Sequence, residues 1–205
     1  VSSCRNSKSG TSKSGRDGFR LTMIVLGVDP GTLITGYGVV AAERGTLTLL
    51  AAGIIRNRGT RSMPLRLKSI YDGLKGVIEQ HAPDEFAIET AFYGKNAQSA
   101  LKIGQARGVA ILAAVHREIP TSEYAPRAVK KAVTGNGAAS KEQVQYMVRT
   151  ILRLRTVPKE LDASDAVAVA LCHLTNLQPR TARGRVTQDW KSYIANHPGR
   201  VVRPR

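Results

Sequence analysis

The chain has 205 residues and a formal net charge of +16. That length supports one domain with a sizeable core, and the charge favours a polyanionic partner, either nucleic acid or an anionic membrane. The ends are basic beyond their share: residues 1–22 carry five Lys/Arg and one acid, residues 178–205 seven and one, and the body nineteen and thirteen. Cys4 and Cys172 form no disulfide framework, so a reducing, cytoplasmic compartment is expected. His81, His116, His173 and His197 lack zinc-ligand spacing, and an apolar run such as Val109–Val115 is far too short to span a bilayer.

Residues 1–22 are rich in Ser, Gly, Lys and Arg with almost nothing apolar before Phe19, which predicts a disordered basic extension. There is no apolar core of a secretory signal, and the amphipathic pattern of a transit peptide is missing. Met23 is a candidate start of the functional protein. Ile24–Val28 is a short β-branched run that stops at Asp29, where Pro30 and Gly31 force a turn. A second strand through Tyr37–Val40 follows, joined through a hairpin near Thr32–Thr35, and Leu47–Arg56 reads as a third, with Gly45 in the turn between. These three form an antiparallel meander.

Pro64–Gln80 reads as an amphipathic helix with Ser62 as its N-cap. Phe86–Ile88 is a fourth strand, again ending in an acid, Glu89. Ala97–Val115 is apolar nearly all round, which predicts burial in a core or against a second subunit. Thr121–Tyr124 is a fifth strand and Arg127–Val133 a short basic helix. After a Gly-containing loop, a helix capped by Ser140 runs to Leu152, and Asp162–Leu177 is the last helix. Strands alternating with helices after a meander indicate an α/β fold with a mixed sheet. Residues 178–205 read as a basic tail with a short structured patch at Trp190–Ile194.

Four acids carry the chemistry. Asp29 ends a strand beside a tight turn, where it either caps the turn or acts as a functional acid. Asp162 and Asp165, spaced i, i+3, share one helix face, and the helix dipole alone would also favour acids there. If the strands ending in Asp29 and Glu89 are neighbours, a helix packed on the sheet brings all four carboxylates together. Such a group needs hard cations to neutralise it. In a basic protein that suggests Mg²⁺-dependent phosphodiester hydrolysis with two metals.

Four segments, LGVDPGTLITGYGVV, FAIETAFYGKNAQSALKIGQARG, YAPRAVKKAVTGNGAASKEQVQYMV and LDASDAVAVALCH, in that order, resemble the RuvC family of bacterial Holliday-junction resolvases, within the RNase H-like superfamily. The resemblance covers residues 23–177. It implies an RNase H-like nuclease domain with a five-stranded mixed sheet of order 3-2-1-4-5. It implies metal-binding catalytic acids at Asp29, Glu89, Asp162 and Asp165, two Mg²⁺ per site with Mn²⁺ as a substitute, a junction-stacking aromatic at Phe92, and DNA-contacting lysines at Lys130 and Lys141. It further implies a homodimer on a four-way DNA junction, paired symmetric nicks with 5′-phosphate ends, and a branch-migration complex of RuvA and RuvB as partner. The basic ends have no counterpart in that pattern. Competing readings are an ATP-using enzyme of the actin/sugar-kinase type, which needs a second such domain and phosphate-binding glycine turns, a non-catalytic junction binder, and a related nuclease that processes RNA.

Overall fold

The computed structural model describes residues 22–90, 97–155 and 161–177. The arms on either side, Phe92, and the Trp190–Ile194 patch lie outside these residues. Strands β1 (Thr22–Asp29), β2 (Ile34–Glu43) and β3 (Thr46–Arg56) form the antiparallel meander, and β2 turns into β3 through Arg44 and Gly45, both at positive φ. Helix α1 (Met63–His81) leads to β4 (Glu85–Glu89), which pairs parallel to β1. Helix α2 (Ala97–Val115) then leads to β5 (Thr121–Tyr124), parallel to β4. Helices α3 (Pro126–Thr134), α4 (Lys141–Ile151) and α5 (Leu161–Leu177) complete the order. The sheet runs β3-β2-β1-β4-β5, the mixed five-stranded arrangement that the family resemblance implied.

Strand alternation divides the interior in two. Val25, Val40 and Ala87 point to the side covered by α3, α4 and α5. Leu26, Val28, Val39, Phe86 and Ile88 point to the side covered by α1 and α2. Helix α5 is buried almost continuously from Ala163 to Leu174, because it lies directly on β1 and β2. Glycine makes that contact possible. A Cβ on Gly27 would stand 2.2 Å from the Ala166 carbonyl oxygen, one on Gly36 2.0 Å from that of Asp162, and one on Gly38 2.8 Å from Cα of Val167.

Helix ends follow their local chemistry. Ser140 and Gln143 form a reciprocal capping box that starts α4. Ser62 occupies the N-cap position of α1, but its side chain makes no capping hydrogen bond. Helix α2, expected to be buried in a core or against a second subunit, is covered along one side by the described residues. Among the described residues it buries Ala106, Ala110, Ala113 and Ala114, while Leu101 is 70%, Leu112 46% and Val115 51% exposed. One side packs on α1 and the sheet, and nothing among the described residues covers the other. No helix among the described residues is long and apolar enough to cross a membrane.

Candidate active site

Asp29 is the last residue of β1 and Glu89 the last of β4, one step beyond the paired Val28 and Ile88. Both share strand parity with the residues that face α5, so both carboxylates rise on that side. The turn behind Asp29 is held by other groups. The Thr35 hydroxyl donates to the Gly31 carbonyl at 2.6 Å, and the Asn57 amide donates to the Thr32 carbonyl at 3.2 Å. The Asp29 carboxylate is therefore not needed to close it.

The other two acids arrive from above. Asp162 lies in the first turn of α5 and Asp165 three residues on. Gly36, the cross-strand partner of Asp29, receives the Asp162 backbone where a side chain would have stood. As a result one carboxylate oxygen from each of Asp29, Asp162 and Asp165 lies within 4.8 Å of the others. Glu89 stands outside that trio but lines the same cleft, of about 220 Å³, with Asp29, Asp165, Lys130 and Lys141. Lys130 comes from α3 and Lys141 from the first residue of α4. A larger groove of about 400 Å³ between the end of α3 and α4, beside Tyr146 and Met147, contains none of the four acids.

The electrostatics follow from this crowding. Burial, then the charges of Asp165 and Asp162, raise the Asp29 pKa to about 6 against an opposing pull from Lys141. Burial, then Asp29 and Asp165, raise that of Glu89 to about 7, opposed by Lys141 and Lys130. Lys141 donates to Asp165 Oδ2 at 2.9 Å, and this hydrogen bond is the first cause of its own raised pKa. Carboxylates held together at such a cost are suited to a hard, oxygen-loving cation, and no thiol or imidazole lines the cleft to favour a softer one.

Sequence reasoning did not find two features of this site. One is the set of glycines under α5, whose signal was their recurrence at Gly27, Gly36 and Gly38 in otherwise apolar strands. The other is the direct pairing of Lys141 with Asp165, which are 24 positions apart and carry no local signature.

Comparison with known proteins places this geometry. A family model described as "Crossover junction endodeoxyribonuclease RuvC" matches residues 25–173. A relative of that name from Salinibacter ruber is 47% identical over 179 residues, covering 87% of this chain and 99% of its own. One from Saccharophagus degradans is 54% identical over 151 residues, covering 74% and 87%. The solved Thermus thermophilus RuvC in complex with Holliday junction substrate superposes with a TM-score of 0.71 at 34% identity, over 75% of this chain and 94% of that one. The yeast mitochondrial Holliday junction resolvase Ydc2, at 14% identity and a TM-score of 0.54, shares the fold. With the match running from β1 into the last turns of α5, and relatives about half identical over nearly their whole length, the chain belongs to the RuvC family of crossover junction endodeoxyribonucleases.

Proposed function

We infer that this protein resolves four-way DNA junctions by hydrolysing phosphodiester bonds at Asp29, Glu89, Asp162 and Asp165, with Mg²⁺ as the cofactor. The observation that carries the reading is the meeting of acids from β1, β4 and α5 at one end of the sheet, in a cleft that two lysines also enter. The all-carboxylate donor set fits two Mg²⁺, and Mn²⁺ would fit the same ligands. Bound there, the ions would supply a water nucleophile at neutral pH and stabilise the leaving 3′ oxygen, leaving 5′-phosphate ends. The chain's task is to hold the acids rigid: Asp29 and Glu89 on paired strands, Asp162 and Asp165 on a helix seated directly on glycine. Lys130 and Lys141 draw the phosphate backbone into an otherwise anionic cleft. Phe92, just past Glu89, stacks on a base at the crossover. A protein that only bound DNA would have no use for anionic groups where a polyanion docks.

Residues 23–177 make up the nuclease domain, and the basic segments 1–22 and 178–205 add sequence-independent phosphate contacts. A homodimer answers a two-fold-symmetric substrate with two sites. Helix α2 supports this assembly: its outward stripe of Leu101, Gly104, Gly108, Leu112 and Val115 is exposed, and nothing lies within 4 Å of a Cβ built on either glycine. Two such stripes can approach closely. The protein works in the cytoplasm, with a branch-migration complex of RuvA and RuvB delivering the junction.

The test is cleavage of an end-labelled four-way junction with Mg²⁺, alongside linear duplex and the Asp29→Asn variant. Paired symmetric nicks in the junction alone are expected, reduced by roughly a thousandfold or more in the variant while junction binding persists. Normal cutting by Asp29→Asn would sink the assignment.

A further inference from the structure

Two lysines enter the acidic cleft, and they are not equivalent. Lys130 lines it without forming an ion pair among the described residues, as a simple attractor of phosphate would. Lys141 instead places its ammonium 2.9 Å from Asp165 Oδ2, on one of the carboxylates that would ligate metal. Its backbone is fixed, because it is the first residue of α4, directly behind the Ser140–Gln143 capping box. The side chain is not enclosed: it is 58% exposed, against 20% for Asp165. A cation at a helix N-terminus is also opposed by the helix dipole, so the contact with Asp165 is what favours this placement. The arrangement is an anchored arm with a displaceable charged end.

We propose that Lys141 is the built-in counter-ion of the metal site, its ammonium holding Asp165 in the metal-free protein and competing with an entering divalent cation for that carboxylate. This rests on the reading of the four acids as the metal site. Lys141 yields Asp165 as the site fills, since an ammonium and a dication gathered on one carboxylate repel each other at such range. Once released, the same arm is free to reach the phosphate of the bound strand. Metal loading and phosphate capture are thereby coupled through one side chain. In the metal-free state Lys141 limits the repulsion within the acid cluster.

The readout is Mn²⁺ affinity of the DNA-free protein, measured from the electron paramagnetic resonance signal of unbound Mn²⁺. Lys141→Met should bind Mn²⁺ about fivefold more tightly or better, the effect of removing one favourable ion pair of about 1 kcal/mol, and Lys130→Met should change affinity by no more than about twofold. Lys141→Arg keeps the pair and should bind as the parent does, which separates loss of the pair from damage to α4. Unchanged or weaker binding by Lys141→Met would overturn the proposal. Equal tightening in both methionine variants would overturn it as well, since that is a general charge effect. Asp165→Asn tests the underlying reading separately: if it binds Mn²⁺ as well as the parent, the acids are not the metal site and the counter-ion role falls with them.

Discussion

At the residue scale, Asp29 and Glu89 are held in a state that costs stability. Their pKa values of about 6 and about 7 lie above the ordinary 3.8 and 4.5, so the folded protein binds more protons than the unfolded chain across that interval. Stability from these two groups is therefore fully present at low pH and is lost as pH rises through the folded values. For Asp29 alone a shift of this size corresponds to about 2–3 kcal/mol. His173, buried and held neutral with its pKa lowered by burial, acts in the opposite direction, losing stability as pH falls. The comparison that isolates the acid is between parent and Asp29→Asn. In chelator, the variant should have the higher urea midpoint at about pH 7.5, and the difference should vanish near about pH 4. Added Mg²⁺ should raise the parent's midpoint and leave the variant's nearly unchanged. A variant less stable than the parent at neutral pH would contradict this account of the site. Both residues could be picked out along the chain as acids that end apolar strands, though the segment alone left Asp29 equally a turn cap and the family resemblance made the choice. Their charge states were not legible, since burial and mutual repulsion are properties of the assembled cleft.

At the element scale, helix α5 decides whether a site exists. It reaches the sheet only because Gly27, Gly36 and Gly38 leave out the side chains that would hold it away. Gly36→Ala would put a methyl group onto the Asp162 carbonyl, which must move. Overpacking of this kind costs about 1–3 kcal/mol, and here it also displaces Asp162 from its partners. The expected result is a folded protein with a lowered thermal midpoint and a much reduced Mg²⁺-dependent rise in that midpoint, read by calorimetry with and without metal. An unaltered metal response would mean that the close approach of α5 does not position the acids. Local sequence anticipated most element positions and one cap of two. Ser140 is followed three residues on by Gln143, which can reach back to it, whereas Ser62 is followed by Leu65, which cannot. The helix α2 shows the converse limit. Its composition predicted burial in a core or against a second subunit, and composition does not say which side the chain itself covers.

At the scale of the whole molecule, that uncovered side is where a second subunit would add what one chain lacks. Leu112→Glu would place a charge in the middle of the α2 stripe, on an exposed position that the fold itself does not need. The expected outcome is a monomer by sedimentation, with the folded domain intact and paired nicking replaced by occasional single nicks. A variant that remained dimeric would place the interface elsewhere. The acids of one chain all lie at a single end of the sheet, so simultaneous cuts in two opposed strands call for two chains.

The sequence by itself determined the order of strands and helices, the basic character of both ends and the four candidate acids, because periodicity, turn residues and charge are local quantities written along the chain, and the family resemblance grouped those acids into one site. Only the tertiary structure decided that Asp162 meets Asp29 across Gly36, that Lys141 is spent on Asp165 while Lys130 is not, and that the described residues leave one apolar side of α2 uncovered. These depend on which backbone lies against which, and distances between residues far apart in the chain are set by packing alone.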